Sequence, residues 1–130
     1  MANRHFSWVF ILLTSLSLFV ARDLGARDLV RHITLTGSAP TDGQTLSRDV
    51  EEIRLFFSGA PLLRGASVRI VTANRTLVRS SPPASDPKDS KQLFVKIDEA
   101  LAPGSYVIQW RCIASDGHVM RGDFRFRVEA

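Results

Sequence analysis

Asp116-Gly117-His118 and the distant His32 are the residues of this sequence whose types best suit chemistry. Two imidazoles and a carboxylate make a nitrogen and oxygen donor set, which fits a tetragonal Cu(II) site better than a soft-metal site. Asp and His two positions apart point the same way from an extended segment, and Gly117 lets the backbone bend close to an ion. The tripeptide alone is a weak motif, because Asp-Gly is also a common turn and Asp116 can cap it by accepting from nearby backbone N–H groups. On that plainer reading His118 is an ordinary loop histidine and His32 an exposed residue at the start of a strand. A Ser/His/Asp nucleophilic set is not credible, since only His32 and His118 follow the apolar N-terminal segment.

The elements that must position these residues read as strands. Ile33 to Thr36 alternates between apolar and polar. Ile53, Leu55 and Phe57 share one face, with Arg54 and Phe56 on the other. Val68 and Ile70 flank Arg69, residues 74–79 form a weaker candidate, and Leu93, Val95 and Ile97 alternate again. Tyr106, Ile108, Trp110 and Cys112 line one side of a further segment, and Phe124, Phe126 and Val128 one side of the last. Period two recurs with turn residues between the segments, which predicts about seven short strands and an all-β Ig-like or Greek-key sandwich. The Pro- and Ser-rich stretch 80–90 is expected to be a loop. Asp116 and His118 fall between the last two strands, on a loop held by a hairpin.

The chain has 130 residues, 23% charged and 45% hydrophobic, enough for one globular domain with a real core. Its formal net charge is +4, yet the arginines are spread out and no nucleic-acid motif occurs, so no nucleic-acid partner is expected. Arg4 followed by an apolar run over 6–21 reads as an export signal, short for a membrane span. The expected division is a signal peptide over 1–26 (or an uncleaved anchor), a linker over 27–31 and a domain over 32–130. A tandem Ala-Arg-Asp-Leu, at 21–24 and 26–29, runs across the junction of signal and linker and reads as a duplicated linker. One cysteine excludes an intramolecular disulfide, and Cys112 reads as a buried thiol on the inward face beside Trp110, with metal contact the alternative because Asp116 is four residues away. Met120 is a candidate weak axial sulfur or a packing residue. Arg125 and Arg127 form an outward basic row.

At this point the chain resembles the CopC-type copper-resistance domain, a small exported β-sandwich. The matching residues are the run from His32 to Gly43, with Ser38, Pro40 and Asp42, then Ile53 to Ser58. Further on come Pro103-Gly104 with Tyr106, Trp110-Arg111, Ala114 to His118, and Gly122 to Val128. The resemblance implies a Cu(II) site of His32, Asp116 and His118, with the α-amine of His32 as a further ligand if the mature chain begins there. It also implies a monomeric periplasmic carrier that buffers or delivers copper, with an inner-membrane copper transporter as its client. Imidazole must be neutral to ligate, so affinity should fall below about pH 6.5.

Four departures from the family pattern stand out. Arg31 precedes His32. Segment 71–78 has no Met, which argues against a thioether Cu(I) site. Gly59 replaces a common acidic residue, and Val119 a common proline. The alternative function is a metal-free Ig-like interaction module that docks to a membrane copper-transport partner. Enzymatic use of such a copper ion, in oxidative polysaccharide cleavage, is disfavoured by the lack of long insertions and of an exposed aromatic platform. A carrier rather than an enzyme is therefore expected.

Overall fold

The computed structural model describes residues 32–130. The expectations for 1–26 and 27–31 lie outside the described residues. Among those described there is no helix, and nine strands form two sheets. The strands are β1 (Leu35–Ala39), β2 (Gln44–Leu46), β3 (Glu52–Phe57), β4 (Leu62–Thr72) and β5 (Leu77–Val78). They continue as β6 (Ala84–Ser85), β7 (Gln92–Lys96), β8 (Gly104–Ile113) and β9 (Val119–Val128). One sheet has the order β1-β3-β7-β6, the other β2-β9-β8-β4-β5.

The alternating pattern locates the core. Ile53, Leu55 and Phe57 of β3 and Leu93 and Val95 of β7 are buried from one sheet. Val68, Ile70, Ile108, Trp110, Cys112, Phe124 and Phe126 are buried from the other. Because the side-chain period is two, each strand sends the intervening residues to the opposite face. Phe57 and Trp110 meet across the layers edge to face, with 5.5 Å between ring centroids. Such pairs contribute about 0.5–1.5 kcal/mol beyond the burial of their area.

The expected seven strands become nine, and the two additions have local causes. β2 has only three residues with one inward apolar side chain, Leu46, too little for a period to show. It pairs in parallel with β9, matching Gln44 to Phe126 and Leu46 to Val128. β6 lies inside the Pro- and Ser-rich stretch expected to be a loop. Its two residues pair with Phe94 and Leu93 at the sheet edge, where prolines nearby are tolerated. β1 starts at Leu35 rather than Ile33, so His32 lies ahead of the strand instead of beginning it. Only residues 114–118 remain outside the β8–β9 hairpin, because Val119 already pairs with Ile113.

Candidate metal centre

Two segments from opposite sheets build the site. His118 closes the short β8–β9 connection. The Ala114 amide donates to the His118 carbonyl at 2.8 Å, and the Gly117 amide donates to the Ala114 carbonyl at 2.9 Å. Gly117 has φ +89°, a conformation that glycine adopts without the steric cost of a Cβ. Buried Ala114 anchors the base of the loop, and Ser115 to His118 are exposed.

His32 arrives along the lead into β1. The Thr34 amide donates to Ser58 Oγ at 3.0 Å, and the Ser58 amide donates to the Thr34 carbonyl at 2.9 Å. These bonds hold the lead against the end of β3. Gly59 has a related part, since a Cβ there would come within 3.2 Å of Ile33 Cγ1. The residue noted as a departure thus leaves room for the neighbour of His32. Ser58 and Gly59 had no place in the ligand set read from the sequence. The family resemblance marked both, Ser58 as a matching residue and Gly59 as the site of a missing acidic partner for the histidine, but not their hold on the His32 lead.

The fold brings all three expected site residues together. One donor atom from each of His32, Asp116 and His118 lies within 4.8 Å of the others, and all three residues are exposed. Donors roughly 2 Å from a shared ion are at most about 4 Å apart, so small torsional changes suffice to close the set. The His32 and His118 rings lie edge to face, 5.1 Å between centroids.

Asp116 is engaged by His118 through both oxygens. Oδ1 accepts the His118 backbone N–H at 3.0 Å, and Oδ2 lies 2.6 Å from His118 Nδ1. These bonds, the ring contact first, hold the Asp116 carboxyl below the usual carboxylate range. A neutral His118 that donates from Nδ1 presents the lone pair of Nε2 outward, the carboxylate–histidine arrangement that orients metal-binding imidazoles.

The secondary candidates fall elsewhere. Cys112 is buried in the core, its thiol pushed up to about 11 by that burial. Met120 packs against the core opposite Cys112 rather than standing free on the loop. Segment 71–78 is the β4–β5 hairpin, with Arg75 in its turn.

Comparison with known proteins agrees with the all-β two-sheet fold. A family model described as the CopC domain matches residues 35–129. Copper resistance protein C of Xanthomonas campestris pv. juglandis is 30% identical over 118 residues, covering 85% of this chain and 90% of that protein. Protein YobA of Escherichia coli K12 is 26% identical over 98 residues, covering 75% of this chain and 79% of its own length. Among solved structures, CopC from Methylosinus trichosporium OB3b superposes with a TM-score of 0.70 at 26% identity. That likeness covers 75% of this chain and 94% of the other.

Proposed function

Since the chain belongs to the CopC domain family, matched over residues 35–129, we propose that it binds one Cu(II) ion and buffers or delivers it in copper resistance. The observation that carries this reading is the convergence of His32, Asp116 and His118 within 4.8 Å from segments of both sheets. Asp116 and His118 share one loop, whereas His32 is distant in sequence and is brought to them by the fold alone. The donor set suits Cu(II), and the solvent-facing position leaves coordination sites for water or an incoming ligand. That openness fits a carrier that exchanges its ion better than a buried storage site.

In this reading the protein is exported to the periplasm and acts as a monomer, not as an enzyme. An inner-membrane copper transporter is the natural recipient. The His32 α-amine joins the site where processing exposes it. With Arg31 retained, that nitrogen is not available and the three side chains are the protein's donors.

Cu(II) titration of the purified protein, followed by the visible d–d band and by calorimetry, tests the reading. One copper per chain is expected. His118→Ala should weaken binding by more than the roughly 10–100-fold that loss of an outer-shell partner costs. Equal binding by wild type and His118→Ala would overturn the assignment. The mass of the mature chain, taken on the same sample, tells whether His32 is its first residue.

A further inference from the structure

The outer face of the five-stranded sheet is unlike the rest of the surface. The cross-strand register sets Leu77 beside Val71, Val71 beside Val107, and Val107 beside Arg125. A three-residue apolar row thus crosses the outer face of β5, β4 and β8 and ends at an arginine on β9. One row away lie Arg69 and Gln109, also register partners. On the other side Ser105 pairs with Arg127, which pairs with Thr45. These side chains line a groove of about 890 Å³, with Arg75 of the β4–β5 turn at its rim.

The charge on this face is unbalanced, four arginines against one carboxylate. Arg69, Arg75, Arg125 and Arg127 are exposed, and Asp123 is the acidic residue in the lining. Among the described residues, the arginine ion pairs belong to Arg54, on the other sheet. Arg125 and Arg127 lie two residues apart on the outer side of β9, about 6.6 Å along the strand, with no ion pair to either among the described residues. Leu77 is 53% exposed in the same groove, so apolar surface is presented between the arginines.

We propose that this groove docks an extended, acidic segment of a partner protein. Every second residue of a strand is separated by about 6.6 Å, which is also the spacing of same-side side chains in an extended peptide. A segment with the pattern acid-x-apolar-x-acid, laid along the strands, therefore sets its apolar side chain on the Leu77–Val71–Val107 row. Its carboxylates reach Arg69 on one side and Arg127 on the other. The guanidinium fork suits a carboxylate bidentately, and no lysine lines the groove.

The groove suits the other anionic surfaces less well. Of the apolar row only Leu77 projects strongly, at 53% exposure, too little apolar surface to anchor a bilayer. Single-stranded nucleic acid gains from stacking on exposed rings. The aromatic residues in this lining, Tyr106 and Phe126, are buried at 5% and 2% exposure. Val107 lies about seven residues along β8 from the metal-site loop, roughly 20 Å at the strand rise. A partner held there leaves His32 and His118 accessible, so docking and copper exchange take place at separate ends of one sheet. The proposal stands independently of the copper reading.

Fluorescence anisotropy on the full chain tests it, with a labelled peptide of Glu-Ser-Leu-Ser-Glu repeats as probe. Binding is expected at low ionic strength and should weaken steadily as salt is added. The double reversal Arg69→Glu with Arg127→Glu should weaken it about tenfold or more, with the Cu(II) titration unchanged. Arg127→Lys keeps the charge but loses the fork, and a partial loss is expected from it even if the double reversal does not fold. No binding at low salt, or equal binding of the Lys-for-Glu peptide, overturns the proposal. So does tighter binding to phosphatidylglycerol vesicles or to a single-stranded oligonucleotide. Self-association of the chain that the same reversal abolishes would assign the face to a second copy and overturn it as well.

Discussion

The His32 and His118 rings meet edge to face, 5.1 Å apart at 81°, and this contact joins the two sheets at one end of the domain. His32 is held to the end of β3 through the bonds between Thr34 and Ser58, whereas His118 belongs to the β8–β9 hairpin. Neither segment alone carries a two-histidine site. The site exists only when the four-stranded and five-stranded sheets are packed, so copper binding should report on the integrity of the sandwich.

Asp116 has a separable role at this site. Both of its oxygens are engaged by His118, so its first effect is to fix the loop and the imidazole. Asp116→Asn retains a backbone acceptor but offers the ring a weaker, neutral one. Cu(II) affinity is expected to fall about 10–100-fold, as for loss of an orienting partner, and less than in His118→Ala. Calorimetric titration of the two variants side by side checks the order. A loss in Asp116→Asn as large as that in His118→Ala would show that the carboxylate's part as a donor outweighs its part in orienting the ring.

Gly122 is held small by Trp110. A Cβ on Gly122 would lie 2.8 Å from Trp110 Cζ2, and the indole is itself fixed against Phe57. The far side of the ring is core, so it has little room to retreat. Gly122→Ala is expected to destabilise the domain by about 1–3 kcal/mol, the range for overpacking a dense interior. Urea unfolding followed by tryptophan fluorescence reads the shift in midpoint, and an unchanged midpoint would show that the ring can move.

The period-two pattern of β3, β7, β8 and β9 was legible in the sequence because each of these strands buries several alternating apolar residues. That β8 and β9 form a hairpin around Asp116 and His118 was legible too, whereas their register comes from the structure. β2 and β6 were not legible, since strands of three and two residues owe their existence to the partner edge rather than to their own pattern. At the site, His118 and Asp116 declared themselves by proximity. The place of His32 did not, because its meeting with His118 depends on sheet packing and on Ser58 and Gly59. The arginine groove was half visible: Arg125 and Arg127 read as an outward row, but only the pairing of β4, β8 and β9 sets Arg69 and the apolar row beside them.

Cys112 should be chemically silent while the domain is folded. It is 1% exposed, and burial raises its thiol from about 9 to about 11. Thiolate is the reactive form, so alkylation at pH 8 should be very slow in buffer and rapid in denaturing urea. Added Cu(II) should leave the folded-state rate unchanged. The raised value also carries a stability consequence. The contribution is present below the unfolded thiol value near 9 and is lost as pH rises through about 11, so the domain should weaken in alkali over that window. Cys112→Ala should lack that part of the alkaline loss, which thermal unfolding across pH can measure.

At the acid end, the corresponding group is Asp86. It accepts the Lys88 and Asp89 amides through Oδ1, at 2.8 and 3.2 Å, and pairs with Arg54 through Oδ2 at 2.8 Å. Arg54 in turn bonds Glu52 and Gln92 and lies over the Phe94 ring, so this one guanidinium ties the 80–90 stretch to β3 and β7. The Lys88 amide first, and then Arg54, hold the Asp86 carboxyl below its ordinary value of 3.8. A depressed folded value means that the unfolded chain takes up the proton first. The stabilisation is therefore complete above pH 3.8 and is lost as pH falls through the lower folded value. Asp86→Asn should be less stable than wild type at neutral pH, and the two acid-unfolding curves should converge below that window. Circular dichroism melts at matched pH values measure both. A constant gap between the curves down to the acid limit would show that Asp86 contributes through its shape and hydrogen bonds, not through its charge.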